Sequence, residues 1–589
     1  MIPASMPSRY VPAVQRRPAF RLPWTSYVDL VRTRAESQPD RLAVYGLPKL
    51  AEVGPRYSWA RMDRRIRALA ALLQDAGARG EPVVLLQEND PLYLVSFLAC
   101  AYAGAIAVPM PPLAHARHLA RLARVLQDCG ATRILTTRDL HARCAPELDA
   151  VLPGARWLLA DEVGDAAAAA WDDHYPDGSD IAFLQYTSGS TSAPKGVVVR
   201  HADLVWQGES FGRAMALGPD DRALCWMPLF HDLGLILGAL QPLYTGFPVA
   251  ITSPAAFVKA PERWLQAVSD HRITVSGGPN FAYDLCADVV DPAGIPGLDL
   301  SCWAQALNAA EPVRAGTIDR FVAKFGPYGF RPEAMQPGYG LAEATVGVAL
   351  TPRGRPHVRR AVDPDALAAG RVVDSRAADA RVLVSSGPAL PGLALRIVDR
   401  ETPAGTEGVA LPPDTIGEVW TGCDHFPETY WKLDSRDVFD ARLRGEGGAR
   451  RYARTGDLGF VDAAGNLTIT GRSKDLVIVA GKNHYPQDVE LTVEEASPAV
   501  RRNFVAAFGV ERGDTEVAVV VAEVRRDATP AEIAAAPAAI LRAVAERHEL
   551  ALHDVHLVVQ GQVPKTTSGK IQRAKCRELW AERAFRGVA

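Results

Sequence analysis

The sequence predicts an α/β protein: a large N-terminal region of mostly parallel sheet covered by helices, a β-rich stretch after it, and a smaller α+β lobe at the C-terminal end. Three observations predict this. Between residues 24 and 181, and again between 204 and 350, apolar helical patterns alternate with short β-branched runs. Four strand-like segments, RVLVSSG, LALRIVD, GEVWTG and NLTITGR, then follow with little helical pattern between them. After Arg472 come the strands DLVIVAG, NFVAAFGV and EVAVVVAEV, with helical stretches at 487–495 and 531–549.

Taken in order, 61–75 (RMDRRIRALAALLQD) has helical spacing, and 83–86 and 133–136 read as strands. Residues 91–113, PLYLVSFLACAYAGAIAVPMPPL, carry no charge, yet much of the run is Ala and Gly, and Pro109, Pro111 and Pro112 break its end. A span needs about 20 strongly apolar residues. PVVLL and AIAVP therefore read as buried strands flanking a short helix, and no transmembrane segment is expected. The alanines of 166–170 form a loop or a scrap of helix. Residues 351–380 are rich in Arg, Asp, Ala and Pro with little periodicity, and read as an inserted surface segment outside the core.

With 589 residues, hydrophobic 48% and charged 23%, the chain is long enough for three or four lobes of about 150 residues. Lys+Arg 65 against Asp+Glu 68 leaves a net charge of −3, without the basic excess of a nucleic-acid binder. Eight dispersed cysteines form no CxxC pair, so free thiols in a reducing cytoplasm are expected, and residues 1–20 hold no apolar signal region.

The strongest chemical signal is YTSGSTSAPKG at 186–196, directly after the apolar IAFLQ. Hydroxyls, exposed N–H groups, two glycines and a lysine in one turn can wrap a polyphosphate. It is not a Walker A loop, because GxxxxGK[ST] is absent. This loop resembles the phosphate loop of the adenylate-forming superfamily, which includes acyl-CoA synthetases, luciferases and peptide-synthetase adenylation domains. Further matches follow in the family's order: PGYGLAE at 337–343, RTGD at 454–457, GRSKD at 471–475 and PKTTSGK at 564–570. WMPLFHDLGLILG at 226–238, GGPNFAYDLC at 277–286, LNAAEPV at 307–313 and GKNHYPQDVE at 481–490 resemble the fatty acyl-AMP ligases in particular. Residues 351–380 stand where that subfamily carries an insertion, thought to hold the small lobe away from the CoA-using arrangement.

The resemblance implies a large adenylation domain over 24–473, after a lead of 1–23, and a small mobile domain over 474–589 carrying the catalytic lysine. It implies ATP-dependent conversion of a medium- or long-chain fatty acid to acyl-AMP, with transfer to a separate acyl carrier protein. The sequence runs only to Ala589 after the lysine loop, so a fused carrier domain is not expected and the acceptor is expected to be a separate protein. Lys570 would bridge the acid's carboxylate and the α-phosphate. Thr187, Ser188, Gly189, Ser190, Thr191 and Lys195 would hold the phosphates. Glu343, with the Ser190 hydroxyl, would bind Mg²⁺, a hard cation suited to oxygen ligands. Asn308, Ala310, Glu311 and Pro312 would line the adenine, Tyr339 would stack on it next to Gly340, and Asp457 would take the ribose hydroxyls with Arg472 assisting. Ala309 replaces the family's glycine. Lys474 marks the hinge.

His231 is read as a gate where the carboxylate enters, or as a structural residue. Trp226, Phe230, Phe281 and Tyr283 are candidates for the acyl-tunnel wall, the other reading being plain core. Three rivals to the ligase stand beside it: an acyl-CoA synthetase differing only in acceptor, an amino-acid adenylation domain, and a non-catalytic nucleotide-binding scaffold. Lys570, Glu343, Asp457 and Lys195 are all present, which speaks against the scaffold.

Overall fold

A computed structural model describes residues 22–112, 116–151, 154–186, 194–423, 425–446, 450–479, 482–512, 515–566 and 569–588. The phosphate-loop residues Thr187, Ser188, Gly189, Ser190 and Thr191 lie outside the described residues.

Two large sheets form the body of the chain. The first runs 156–159, 133–136, 82–86, 106–110, 181–186 and 196–200, parallel throughout except for its last pair. The second has eight strands; its inner strands are parallel and its two end pairs antiparallel. Every residue of Pro82–Leu86 and Ile106–Met110 is buried, as an unbroken apolar run on a sheet covered on both faces demands. Between them lies the helix Pro91–Ala103. Asp90 caps it by accepting from Leu92 N and Tyr93 N, Pro91 opens it, and Gly104 closes it at φ +68°. Among the described residues no helix is long and apolar enough to cross a membrane. The helix expected at 61–75 is Trp59–Asp75, begun two residues earlier because Ser58 accepts from Arg61 N.

The β-rich stretch is a five-stranded antiparallel sheet in the order 387–388, 466–472, 453–461, 417–422, 394–398. Residues 351–380 differ from the expectation of an uninvolved surface segment. The strand Arg359–Val362 pairs with Arg381–Val384, and Pro364–Ala368 is a short helix. Val362, Leu367 and Val372 are buried with Leu383, Leu458, Phe460 and Tyr485. Each short element delivers one apolar side chain to a core that other strands complete, so no period shows in the sequence.

The C-terminal lobe stacks Val500–Arg512, Thr515–Val524 and Leu552–Val558 in one sheet, against the helices Pro486–Ala496 and Pro530–His548. Arg314 Nη1 pairs with Glu494 Oε2 and Arg381 Nη1 with Asp488 Oδ2, both at 2.7 Å, joining this lobe to the earlier chain.

Candidate active site

A cavity of about 1060 Å³ opens where the two large sheets, the β-rich sheet and the lysine loop converge. Its wall includes Lys195, His231, Tyr339, Gly340, Glu343 and Lys570, with Ala310, Arg472 and Lys474 around them. Its apolar lining comes from Phe211, Phe230, Leu233, Leu237, Val346 and Leu350.

Asp457 is not itself on that wall but is anchored to two residues that are, Tyr339 and Arg472. It is 5% exposed; Oδ2 accepts from the Tyr339 hydroxyl at 2.6 Å and Oδ1 from Arg472 Nε at 2.7 Å. Asp457 and burial pull the Arg472 pKa in opposite directions, and the carboxylate prevails, holding the guanidinium charged. Burial and Asp457 together push the Tyr339 phenol up, so it remains a donor and its ring stays fixed. Each carboxylate oxygen keeps lone pairs for a further donor. Gly340 follows because the chain doubles back there: a Cβ on it would stand 1.7 Å from Val346 O.

Lys570 sits on a turn closed by Lys570 N donating to Thr566 Oγ1 at 3.0 Å and Thr566 N to Lys570 O at 2.8 Å. Gly569, at φ +90°, lies so close to Phe281 that a Cβ would meet its ring at 3.1 Å. Burial, with Arg472 nearby, lowers the Lys570 pKa, while Asp232, Asp457 and Glu311 oppose the shift. Burial works against the ionised form of Asp232, but His231 and Lys570 outweigh it and hold the carboxyl below its usual range. His231 Nδ1 lies 2.6 Å from Asp232 Oδ1.

Glu343 is on the turn Ala342–Ala344, and its Oε1 accepts the Tyr430 hydroxyl at 2.8 Å. Lys195 Nζ stands over the Tyr430 ring, 5.1 Å from its centre. Among the described residues no group of three His, Cys, Asp or Glu could enclose a metal ion. One carboxylate at a phosphate site still fits Mg²⁺, which is commonly held by one or two carboxylates plus substrate phosphates and water.

The remaining expected positions divide. Ala309 and Ala310 line the cavity, Ala310 in the left-handed region at φ +71°. Asn308 is fully buried behind them and donates to Asn280 Oδ1 at 3.4 Å, while Pro312 is exposed. Glu311 turns its Oε1 to Phe281 N at 2.5 Å instead of to the cavity wall. Phe230 and His231 are on the wall; Trp226, Phe281 and Tyr283 are not. Trp226 stacks on Phe257 at 4.1 Å. Tyr283 is a core residue whose hydroxyl donates to Leu307 O at 2.6 Å. Lys474 lines the cavity from the turn Ser473–Asp475.

Several wall residues carry no sequence signal of their own. The wide-turned helix Leu233–Leu240 points Leu233 and Leu237 into the cavity. Gly234 and Gly238 let it press on Pro228 O and Cys225 Sγ, where added Cβ atoms would come to 2.2 and 2.4 Å. Gln185, 4% exposed, donates from Nε2 to Phe230 O at 3.2 Å, and its Oε1 has no partner in the protein.

The chain matches the AMP-binding enzyme family over residues 31–431 and the AMP domain of Disco-interacting protein 2-like proteins over 474–588. It is 37% identical to a medium-chain-fatty-acid–[acyl-carrier-protein] ligase of Moorena producens, with 95% of each chain covered. It is 36% identical to a long-chain-fatty-acid–AMP ligase of Mycolicibacterium smegmatis, again over 95% of each. The solved fatty acyl-adenylate ligase of L. pneumophila, in complex with acyl adenylate and pyrophosphate, superposes with a TM-score of 0.74 at 33% identity, covering 95% of this chain and 97% of that one. The chain belongs to the AMP-binding family of adenylate-forming enzymes, in its fatty acyl-AMP ligase branch.

Proposed function

We propose that this enzyme activates a medium- or long-chain fatty acid with ATP and passes the acyl group to the phosphopantetheine thiol of a separate acyl carrier protein. The observation that carries the reading is the mixed lining of one cavity: Lys195, Glu343, Arg472 and Lys570 share its wall with the apolar Phe211, Phe230, Leu233 and Leu237. Those apolar side chains match a hydrocarbon chain. The medium-chain acid and carrier acceptor in the name of the Moorena relative support the substrate and the acceptor.

In the first step a carboxylate oxygen attacks the α-phosphorus, and the bond to the bridging β-phosphate oxygen breaks to release pyrophosphate. In the second, the thiol sulfur attacks the acyl carbon and AMP leaves. Lys570 spans carboxylate and α-phosphate, and its charge offsets what builds up there. Asp457 accepts from the ribose hydroxyls while the pinned Tyr339 ring covers the adenine beside Ala309 and Ala310. Asn308 supports that wall from behind. Glu343, with the Ser190 hydroxyl, would hold Mg²⁺, which would supply positive charge to neutralise the phosphates. Residues 24–473 then form the adenylation domain and 474–589 the moving lobe, with Lys474 at the hinge. Residues 351–380 restrain that lobe: Asn483 Nδ2 donates to Ala368 O at 2.9 Å. The cytoplasm, where ATP and carrier proteins are made, is the compartment we assign; all eight cysteines are free thiols.

The test is an assay of purified protein with ATP, Mg²⁺ and free acids from acetate to palmitate, with and without CoA, read by mass spectrometry. Acyl-AMP alone, peaking at one chain length, is the expected result; abundant acyl-CoA would replace the ligase with a CoA synthetase. A second expectation concerns pH. A lysine is charged below its pKa, so a rate that needs Lys570 charged falls as pH rises through that value. Asp232→Asn removes a carboxylate that raises the pKa, so the alkaline limb of kcat/KM moves to lower pH. An unmoved limb would sever Asp232 from Lys570.

A further inference from the structure

Tyr430 stands where three parts of the site meet. Its hydroxyl donates to Glu343 Oε1 across 87 residues of sequence, its ring lies beneath Lys195 Nζ, and the side chain is 7% exposed. Its backbone is fixed separately. Val197 and Tyr430 form an antiparallel bridge, Trp431 N donates to Gly196 O at 2.7 Å, and Tyr430 N donates to Ser435 Oγ at 3.0 Å. Phe439 packs edge-on against the ring at 5.1 Å. These contacts hold the phenol with its hydroxyl on the carboxylate.

We propose that Tyr430 is a positioning residue for the triphosphate: its hydroxyl sets the orientation of Glu343, and its ring face seats the Lys195 ammonium. This rests on the reading of Glu343 as the Mg²⁺-binding carboxylate. A glutamate on a short turn rotates freely about its last bond, and a hydrogen bond to one oxygen leaves the other aimed one way. A lysine on a loop gains a preferred place over the negative face of a ring. One side chain thus sets the spacing between the metal and the ammonium, the two positive charges that the triphosphate must meet together. A tyrosine that only filled space would lose nothing on becoming phenylalanine.

The test compares Tyr430→Phe, Tyr430→Leu and Glu343→Gln with the parent enzyme, each checked for a normal thermal melt. Manganese binding to the complex with a non-hydrolysable ATP analogue is read by electron paramagnetic resonance. Binding of the same analogue in EDTA is read by calorimetry. Tyr430→Phe should weaken metal binding on the order of tenfold and leave metal-free nucleotide binding unchanged. Tyr430→Leu should add a several-fold loss of metal-free binding, because Lys195 loses its seat. Parental metal binding in Tyr430→Phe overturns the proposal when Glu343→Gln has lost it. Unchanged metal binding in Glu343→Gln removes the metal reading of Glu343, and the proposal with it.

Discussion

Lys570→Ala lowers the rate of acyl-adenylate formation by about 10²- to 10³-fold and leaves ATP binding intact. The large effect is expected because Lys570 lines the same cavity as Lys195, Glu343 and the apolar Phe230 and Leu237, and the proposed reaction places its charge at the α-phosphate. Removing it leaves developing phosphate charge unmatched. ATP affinity survives because Asp457, Tyr339 and Lys195 are untouched. Pyrophosphate release measures the first quantity and calorimetry with a non-hydrolysable analogue the second. A variant with more than a tenth of parental turnover would remove Lys570 from the chemistry.

Asp457→Ala should raise the ATP KM on the order of a hundredfold, through lost ribose contacts and through the two groups it abandons. The Tyr339 hydroxyl and Arg472 Nε both end on this carboxylate, so its loss frees the ring as well as the ribose seat. The Arg472 side chain is 54% exposed and recovers water, so the fold should hold and the loss should fall on the nucleotide. Asp457→Asn, which keeps one acceptor oxygen, should recover part of the affinity. Thermal melts alongside steady-state kinetics separate the two effects; a melt that collapses with unchanged KM would make Asp457 structural.

The fold was legible where chemistry is local. PVVLL and AIAVP read as buried strands flanking a short helix, and the structure has Pro82–Leu86 and Ile106–Met110 buried throughout with the helix Pro91–Ala103 between them. Sequence could not say which way an aromatic ring points. Phe281 and Tyr283 are two apart on the helix Asn280–Val289, which puts them on opposite sides. One meets Gly569 and the other the core, and neither reaches the cavity. Phe230, on a loop, does reach it. Tyr430 and Gln185 were invisible for another reason: their partners are distant in sequence, and neither residue type suggests a role alone. The core contribution of 351–380 escaped because three apolar residues on separate short elements make no pattern.

The helix Pro486–Ala496 answers three arginines with three carboxylates: Asp488 to Arg381, Glu490 to Arg573 and Glu494 to Arg314. Arg381 borders the insertion, Arg314 follows the adenine segment, and Arg573 comes three residues after Lys570. One rigid rod thus keeps these three regions in step, as a camshaft times several valves. An exchange at Arg381 would loosen one of the three ties on this helix, although Arg381 is not on the cavity wall.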